Sequence, residues 1–379
     1  MKEALQKIKP QLFQIFDYLH ENPELSWEEV NTTVFITDML EKHSCKVTTF
    51  TDCTGVIGEW GEGQAPTVAL RSDIDALWQE VNGKFQANHS CGHDAHMTIA
   101  LGVLLLLKEM NYKPPGKLKF IFQPAEEKGT GALKFIEKGV VDDVDYLYGL
   151  HVRPIDESKN GQAAPAIMHG AAQFVSGEII GTDAHGARPH QGNNAIEIGA
   201  SFIQLLNSIH LNPSIPYSAK MTRFIAGGES SNIIPGKALF SLDLRAQTNE
   251  IMEQLIAKVK KIATTLAELN HVDIRLEFGG NTAAAIVHDE AKEIMKEAIV
   301  DTLGPNHVQP AIISTGGEDF HFYTLKRPHL KATMLGLGCD LQPGLHHPNM
   351  KFDKDAMING VEILTKALML THKAKLKGE

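Results

Sequence analysis

Four short aliphatic or β-branched runs in this chain each break off into ionisable residues. That pattern restricts the fold more than any other feature. "TVALRSDID" ends in Asp73 and Asp75, and "KLKFIFQPAEE" in Glu126 and Glu127. "DYLYGLHV" ends in His151, and "KATMLGLGCDLQPGLHHP" leads to His346 and His347. Helical patterns at 95–110, 131–138 and 289–303 separate them. Strands alternating with helices predict an α/β fold with a mainly parallel central sheet covered on both faces. Ligands of such sheets bind beyond the carboxyl ends of the strands, which is where the ionisable clusters fall.

The rest of the chain organises around that core. Residues 1–45 read as helical, with Ser26 and Glu29 spaced as a capping box. Residues 165–280 read strand, helix, two strands, helix, strand, the split βαβ order. This predicts a small α+β domain at 166–280 inserted into a larger one formed by 1–165 and 281–379. The tail "THKAKLKGE" is expected to fray. A net charge of −10 argues against nucleic acid or an anionic membrane as partner. The four cysteines (Cys45, Cys53, Cys91 and Cys339) lack CxxC spacing and do not read as a disulfide framework. The amino-terminal stretch has no apolar signal region, and the longest apolar run, 97–107, is too short to span a bilayer. The expectation is a soluble cytoplasmic protein.

"HSCGHDAHM" at 89–97 concentrates metal-binding residue types ahead of an apolar helix. Cys91 and His93 can face one site, and thiolate with imidazole suits zinc, cobalt or nickel, while imidazole tolerates manganese. A buried structural cysteine beside a capped histidine fits the same pair. Asp94 reads as the N-cap of a helix starting at Ala95, and His96 as a packing or supporting residue. Two adjacent carboxylates, Glu126 and Glu127, at a buried strand end are costly unless a cation compensates them. The natural division is one ligand and one general base for a metal-activated water. Cys91, His93, Glu127, His151 and one of His346 or His347 make five donors. That exceeds one tetrahedral zinc and suits two neighbouring metals. The chain has no G-x-S-x-G, H-E-x-x-H, G-x-G-x-x-G, P-loop or deaminase motif.

The ordered motifs "LRSDIDAL", "SCGHDAHM", "FQPAEE", "YGLHV", "GTDAHGARPHQG", "SSNIIPGKA", "STGGEDFHFY" and "GLHHPNM" run nearly end to end. In them the chain resembles the M20 metallopeptidase family, in its amidohydrolase branch of N-acyl-amino-acid deacylases, hippurate hydrolases and auxin-conjugate hydrolases. The resemblance implies a zinc-peptidase-like catalytic domain with an inserted ferredoxin-like lid, and two divalent metal ions (Zn, Mn, Co or Ni). The implied metal ligands are Cys91, His93, Glu127, His151 and His346. Glu126 takes the general acid/base position, and Asp73 resembles an aspartate that orients a ligand. In the lid, His185 resembles an oxyanion-stabilising histidine, in many members supplied by a partner subunit. Asn232 and Arg245 resemble residues that bind substrate, Arg245 its carboxylate. The implied substrate is an N-acyl amino acid or peptide-like conjugate, and the implied assembly a homodimer through the lid. A dipeptidase or aminopeptidase, or a non-catalytic metal-binding protein, are the alternatives. After "DAL" the family's usual Pro-Ile-Gln-Glu and longer loop give way here to Trp78-Gln79-Glu80 and "VNGKFQANHS". This places a chain-specific loop near the substrate pocket.

Overall fold

The computed structural model describes residues 1–63 and 65–376, and the chain forms two compact units. The first takes Met1–Met168, Ile286–Ile313 and the chain from Asp319 onward; the second takes His169–Ala285 and Ser314–Glu318. The short return at Ser314–Glu318 lies outside the expected 166–280 span. It belongs to the second unit because Gly170 N donates to Ser314 O at 3.0 Å.

A seven-stranded sheet centres the first unit. Its order is Lys46–Thr49, Val56–Trp60, Gly116–Gln123, Ala65–Asp73, Tyr146–Pro154, Lys331–Leu341, Ala163–Ala164. The four strands from Gly116–Gln123 to Lys331–Leu341 are parallel, and the outer pairings are antiparallel. Parallel neighbours need long crossovers, and the helices His93–Glu109 and Gly131–Glu137 lie in two of them. The central strands are buried almost throughout, as expected of strands covered on both faces.

The apolar segment behind "HSCGHDAHM" forms the helix His93–Glu109, buried on every side from His93 to Leu107. It packs between Lys2–Glu21 and Ala356–Leu376, which explains a helix with no polar face. At Gly102 an added Cβ would come within 2.6 Å of Val361 and 2.7 Å of Leu12, so glycine permits the close approach of both neighbours. Among the described residues no helix is long and apolar enough to cross a membrane.

Three local expectations are corrected. No capping box forms at Ser26: the second helix runs Val30–Lys42 with Glu29 at its N-cap position and no side-chain cap bond. Ser26 Oγ donates instead to Asp75 Oδ2 (2.6 Å), and the Glu29 carboxylate turns inward. The chain-specific loop after Asp75 is a β-hairpin, Leu77–Val81 with Lys84–Asn88, turning at Asn82-Gly83. Asn-Gly accommodates the positive φ that such two-residue turns demand. The last helix continues through Leu376, held by Tyr148 Oη to Thr371 Oγ1 at 2.8 Å. Only 377–379 of the expected frayed tail lie outside the described residues.

The second unit has a four-stranded antiparallel sheet, ordered Tyr217–Ala226, Lys237–Ala246, Ala171–Ile180, Asp273–Thr282. The helices Ala195–Asn207 and Asn249–Asn270 start at side-chain caps Asn194 and Thr248. Along Lys237–Ala246 burial alternates, with Ala238, Phe240, Leu242, Leu244 and Ala246 inward. Period-two burial is the mark of a sheet packed on one face. Phe202 of the first helix meets Phe240 with ring centroids 5.2 Å apart.

Candidate metal centre

The site of the first unit is built from the turns after Ala65–Asp73 and Gly116–Gln123, from His151, and from the loop after Lys331–Leu341. Helix His93–Glu109 delivers the Cys91–His93 pair. Its N-cap is Gly92, in the left-handed region at φ 87°, and not Asp94 as the sequence predicts. Asp94 sits inside the first turn, with Oδ1 on Ala95 N (2.8 Å) and Oδ2 2.6 Å from His20 Nδ1. The left-handed kink at Gly92 places Cys91 and His93 on the same centre. His151 lies within its strand, which runs on to Pro154, and not at the strand end.

Five donor side chains converge here. Cys91 Sγ lies 3.6 Å from His151 Nε2 and 3.3 Å from His346 Nε2. Glu127 Oε1 is 3.4 Å from His346 Nε2 and 3.9 Å from His93 Nε2. Cys91, His93 and His151 form one triad, and Cys91, Glu127 and His346 a second that shares the thiol, each within 4.8 Å. Metal–ligand bonds of 2.0–2.3 Å at tetrahedral angles separate donor atoms by about 3.5 Å, so these spacings match the edges of such a polyhedron. His347, the other histidine of the pair, is exposed and accepts from Asn349 N. His346 adopts a left-handed φ of 63° and is tied by its N–H to Ser90 O at 2.7 Å.

The imidazoles are set for ligation. His93 Nδ1 donates to Asp75 O (2.9 Å) and His151 Nδ1 to Val152 O (2.7 Å). A carbonyl only accepts, so in each ring Nδ1 carries a proton and Nε2 is left as the atom that faces the centre and would ligate a cation once unprotonated. His93 Nε2 and Glu127 Oε1 are buried with no hydrogen-bond partner. Burial, with Glu127 adding, pushes the Cys91 thiol well above its usual range. Burial opposes charge on His93, yet Asp73, Cys91 and Asp75 outweigh it and raise that imidazole. The pocket is therefore negative in potential and lined by soft and borderline donors; Cys91, His93 and His151 are buried, Glu127 is nearly so, and His346 keeps about half of its side chain exposed. A divalent cation fits it and would supply the missing partner for both orphaned atoms.

Asp75 and Asp73 hold the donors in place. Asp75 Oδ2 accepts from Ser26 Oγ and from Glu127 N (3.0 Å). Asp73 Oδ1 accepts from His96 Nδ1 (2.7 Å), and His96 Nε2 accepts from Val152 N (3.0 Å). Both nitrogens of His96 are thus occupied within the protein, which fixes it as a support. Asp73 keeps its charge: burial would raise it, but His93, His96 and Arg71 hold it well below the usual carboxylate range. Glu126, nearly buried, has Oε2 3.9 Å from His93 Nε2 and accepts from Asp319 N at 3.4 Å.

His185, Asn232 and Arg245 all fall in the second unit. His185 pairs with Ile233 in a two-residue ladder, and Gly186 N donates to Asn232 O (2.7 Å), so His185 and Asn232 lie together on an exposed surface. Arg245 donates to both Asp243 oxygens (2.7 and 3.2 Å) and stacks over Phe174. Ser26, Glu29, Arg71, Asp75 and Asp319 take structural roles around the centre that no local sequence pattern assigns. Asp75 and Asp319 stand inside the motifs "LRSDIDAL" and "STGGEDFHFY", which is the signal that could have marked them.

N-acetyl-L-cysteine deacetylase of Bacillus subtilis is 33% identical to this chain over 93% of it and 86% of the relative. Hippurate hydrolase of Campylobacter jejuni is 30% identical, covering 80% of this chain and 82% of the relative. A crystal structure from Bacillus subtilis, described as a dinuclear metal-binding peptidase of the M20 family, superposes with a TM-score of 0.83. It is 25% identical and covers 97% of this chain and 99% of that one. The sequence profile of peptidase family M20/M25/M40 matches residues 69–370. That span runs from the strand ending at Asp73 to the last helix and takes in every donor of the centre; this chain belongs to peptidase family M20/M25/M40.

Proposed function

We propose that this metal-dependent amidohydrolase cleaves the amide bond of N-acyl amino acids or related small conjugates. The carrying observation is the pair of donor triads sharing Cys91, with the Glu126 carboxylate beside them. Cys91, His93, Glu127, His151 and His346 would hold two divalent ions, with Zn, Mn, Co and Ni all compatible with the donor set. Bound there, the metals supply Lewis-acid polarisation of the carbonyl and acidify water. Glu126 takes the proton of the attacking water on a carboxylate oxygen and returns it to the leaving amine nitrogen. Asp73, through His96 and Val152 N, keeps the strand bearing His151 in register. His185 is assigned to the oxyanion, and Asn232 and Arg245 to the substrate, Arg245 clamping its carboxylate in place of Asp243.

The names of the deacetylase and hippurate hydrolase relatives favour acylated over free amino groups as substrate. Four free cysteines fit a reducing, cytoplasmic setting. The second unit leaves Tyr217–Ala226 as an edge strand, the kind of edge a homodimer can cover. Turnover of N-acetyl and N-benzoyl amino acids against free dipeptides, by protein loaded with each metal and analysed for metal content, tests the reading. Glu126→Ala should lower kcat about 10²–10⁴-fold and leave metal content unchanged. Near-native rates in that variant, or a preference for free dipeptides, would overturn it.

A further inference from the structure

We propose that Glu29 is a positioning residue for the Glu126–Glu127 pair, its buried carboxylate holding the Ala125 amide in the turn that aims both side chains at the metal centre. The inference rests on Glu126 acting as base and Glu127 as ligand. Ala125 has φ 52°, in the left-handed region, a conformation that costs an L-residue roughly 1–2 kcal/mol. Its N–H donates to Glu29 Oε1 at 2.9 Å. Thr54 Oγ1 donates to the other oxygen, Oε2, at 2.5 Å. Glu29 is fully buried, so both bonds are shielded from water.

The backbone around this contact is fixed on every side. Glu29 O accepts from Thr33 N (3.0 Å) and Thr33 Oγ1 (2.6 Å), and Thr33 Oγ1 in turn accepts from Gly55 N (2.9 Å). Gly55 presses on the turn so closely that an added Cβ would come within 2.6 Å of Pro124 Cδ. Beyond Ala125, its carbonyl accepts from Gly131 N, and Glu126 O accepts from Gly129 N. Glu127 N ends on Asp75. The amides on either side of Glu126 therefore each finish on a buried carboxylate from a different part of the chain. Asp75 also touches His93, whereas the described partners of the Glu29 carboxylate are Ala125 and Thr54. The hydrogen bonds of the Glu29 carboxylate reach the centre through the turn.

The test measures kcat and KM on an amide that the wild-type enzyme hydrolyses, together with calorimetric titration of the metal-free full chain with Mn²⁺. Glu29→Ala should lower kcat about 10–100-fold at saturating Mn²⁺ and weaken one Mn²⁺ site about tenfold, with KM within about twofold. Glu29→Gln, which keeps the acceptor, should restore both to within about threefold. Adding Ala125→Gly to Glu29→Ala should recover about fivefold or more, because glycine adopts the left-handed turn at little cost. Wild-type kcat and Mn²⁺ affinity in Glu29→Ala, or equal damage in Glu29→Ala and Glu29→Gln, would overturn the assignment. If Glu29→Ala does not fold, Thr54→Val decides: a several-fold loss of kcat at unchanged KM is expected, and no change overturns. If the wild type hydrolyses no amide tested, the proposed reaction fails, while the Mn²⁺ titrations still judge Glu29.

Discussion

Arg71 donates from Nη2 to Asp319 Oδ1 at 2.8 Å, joining residues 248 positions apart inside a fully buried cluster. The same guanidinium reaches Asp73 Oδ2 (2.6 Å) and Gln123 Oε1 (3.0 Å). One side chain thus braces Asp73, which holds His96, and Asp319, whose amide holds Glu126. Removing it takes the guanidinium from two buried carboxylates, although Asp319 keeps Gln123 Nε2 and Ala132 N and Asp73 keeps His96; breaking a buried pair costs about 3–5 kcal/mol. Arg71→Met is expected to lower unfolding free energy by about that amount in urea titrations. Arg71→Lys should recover little, because an ammonium lacks the planar fork. An unchanged midpoint in Arg71→Met would mean the cluster contributes nothing net.

Gly92 makes a second test. At φ 87° it already occupies a region that disfavours L-residues, and an added Cβ would come 2.4 Å from Val152 Cγ2. Val152 follows His151, and Gly92 separates Cys91 from His93. Gly92→Ala should therefore cost about 2 kcal/mol or more and disturb three donors together. Elemental analysis of the purified variant should show less than the wild-type metal complement. Full occupancy at wild-type stability would show that the helix start tolerates a side chain.

What the sequence made legible, and what it did not, divides on physical grounds. The alternation of aliphatic runs and helices is a local, periodic signal, and the parallel core and the strand–helix order of the second unit follow it closely. Ligand-type residues near strand ends are equally local, although His151 lies inside its strand and not at its end. The misreadings come where long-range contacts override local preference. Ser26 and Glu29 have capping-box spacing, yet Asp75, Thr54 and Ala125 recruit their side chains inward. Asp94 is a good cap residue, but the left-handed step at Gly92 starts the helix earlier, at His93. Residue types alone leave His346 and His347 open and only the resemblance in "GLHHPNM" points to His346; the physical cause, a backbone φ and a bond to Ser90, is not a local signal.

His96 tests support without ligation. With Nδ1 on Asp73 and Nε2 accepting from Val152 N, it ties the helix that carries His93 to the strand that carries His151 and to Asp73. Substituting such outer partners typically costs 10–100-fold in metal affinity or activity. His96→Ala should fall in that range and also leave the Val152 amide unsatisfied, at about 1–3 kcal/mol. His96→Asn can still donate to Asp73 and should lie between Ala and wild type. Wild-type metal affinity in His96→Ala would show that Asp73 and His151 hold their positions alone.

Glu29 also carries a pH signature separable from its positioning role. Its carboxyl is pushed up from the ordinary 4.5 to about 7, chiefly by burial, with Asp75 adding and the Thr54 hydrogen bond opposing. The folded chain therefore binds a proton more readily than the unfolded chain between those values. The sign follows from linkage: stability falls as pH rises through about 4.5 to 7, and the loss persists above it. A gap of this size corresponds to about 3 kcal/mol. Glu29→Gln removes the titration while keeping an acceptor for Ala125. In denaturant titrations of metal-free protein, which exclude linkage to bound ions, it should exceed wild type by about 3 kcal/mol at pH 8 and by less than about 1 kcal/mol at pH 5. A difference that stays flat across that range would mean Glu29 titrates as an ordinary glutamate, its burial charge offset by neighbours.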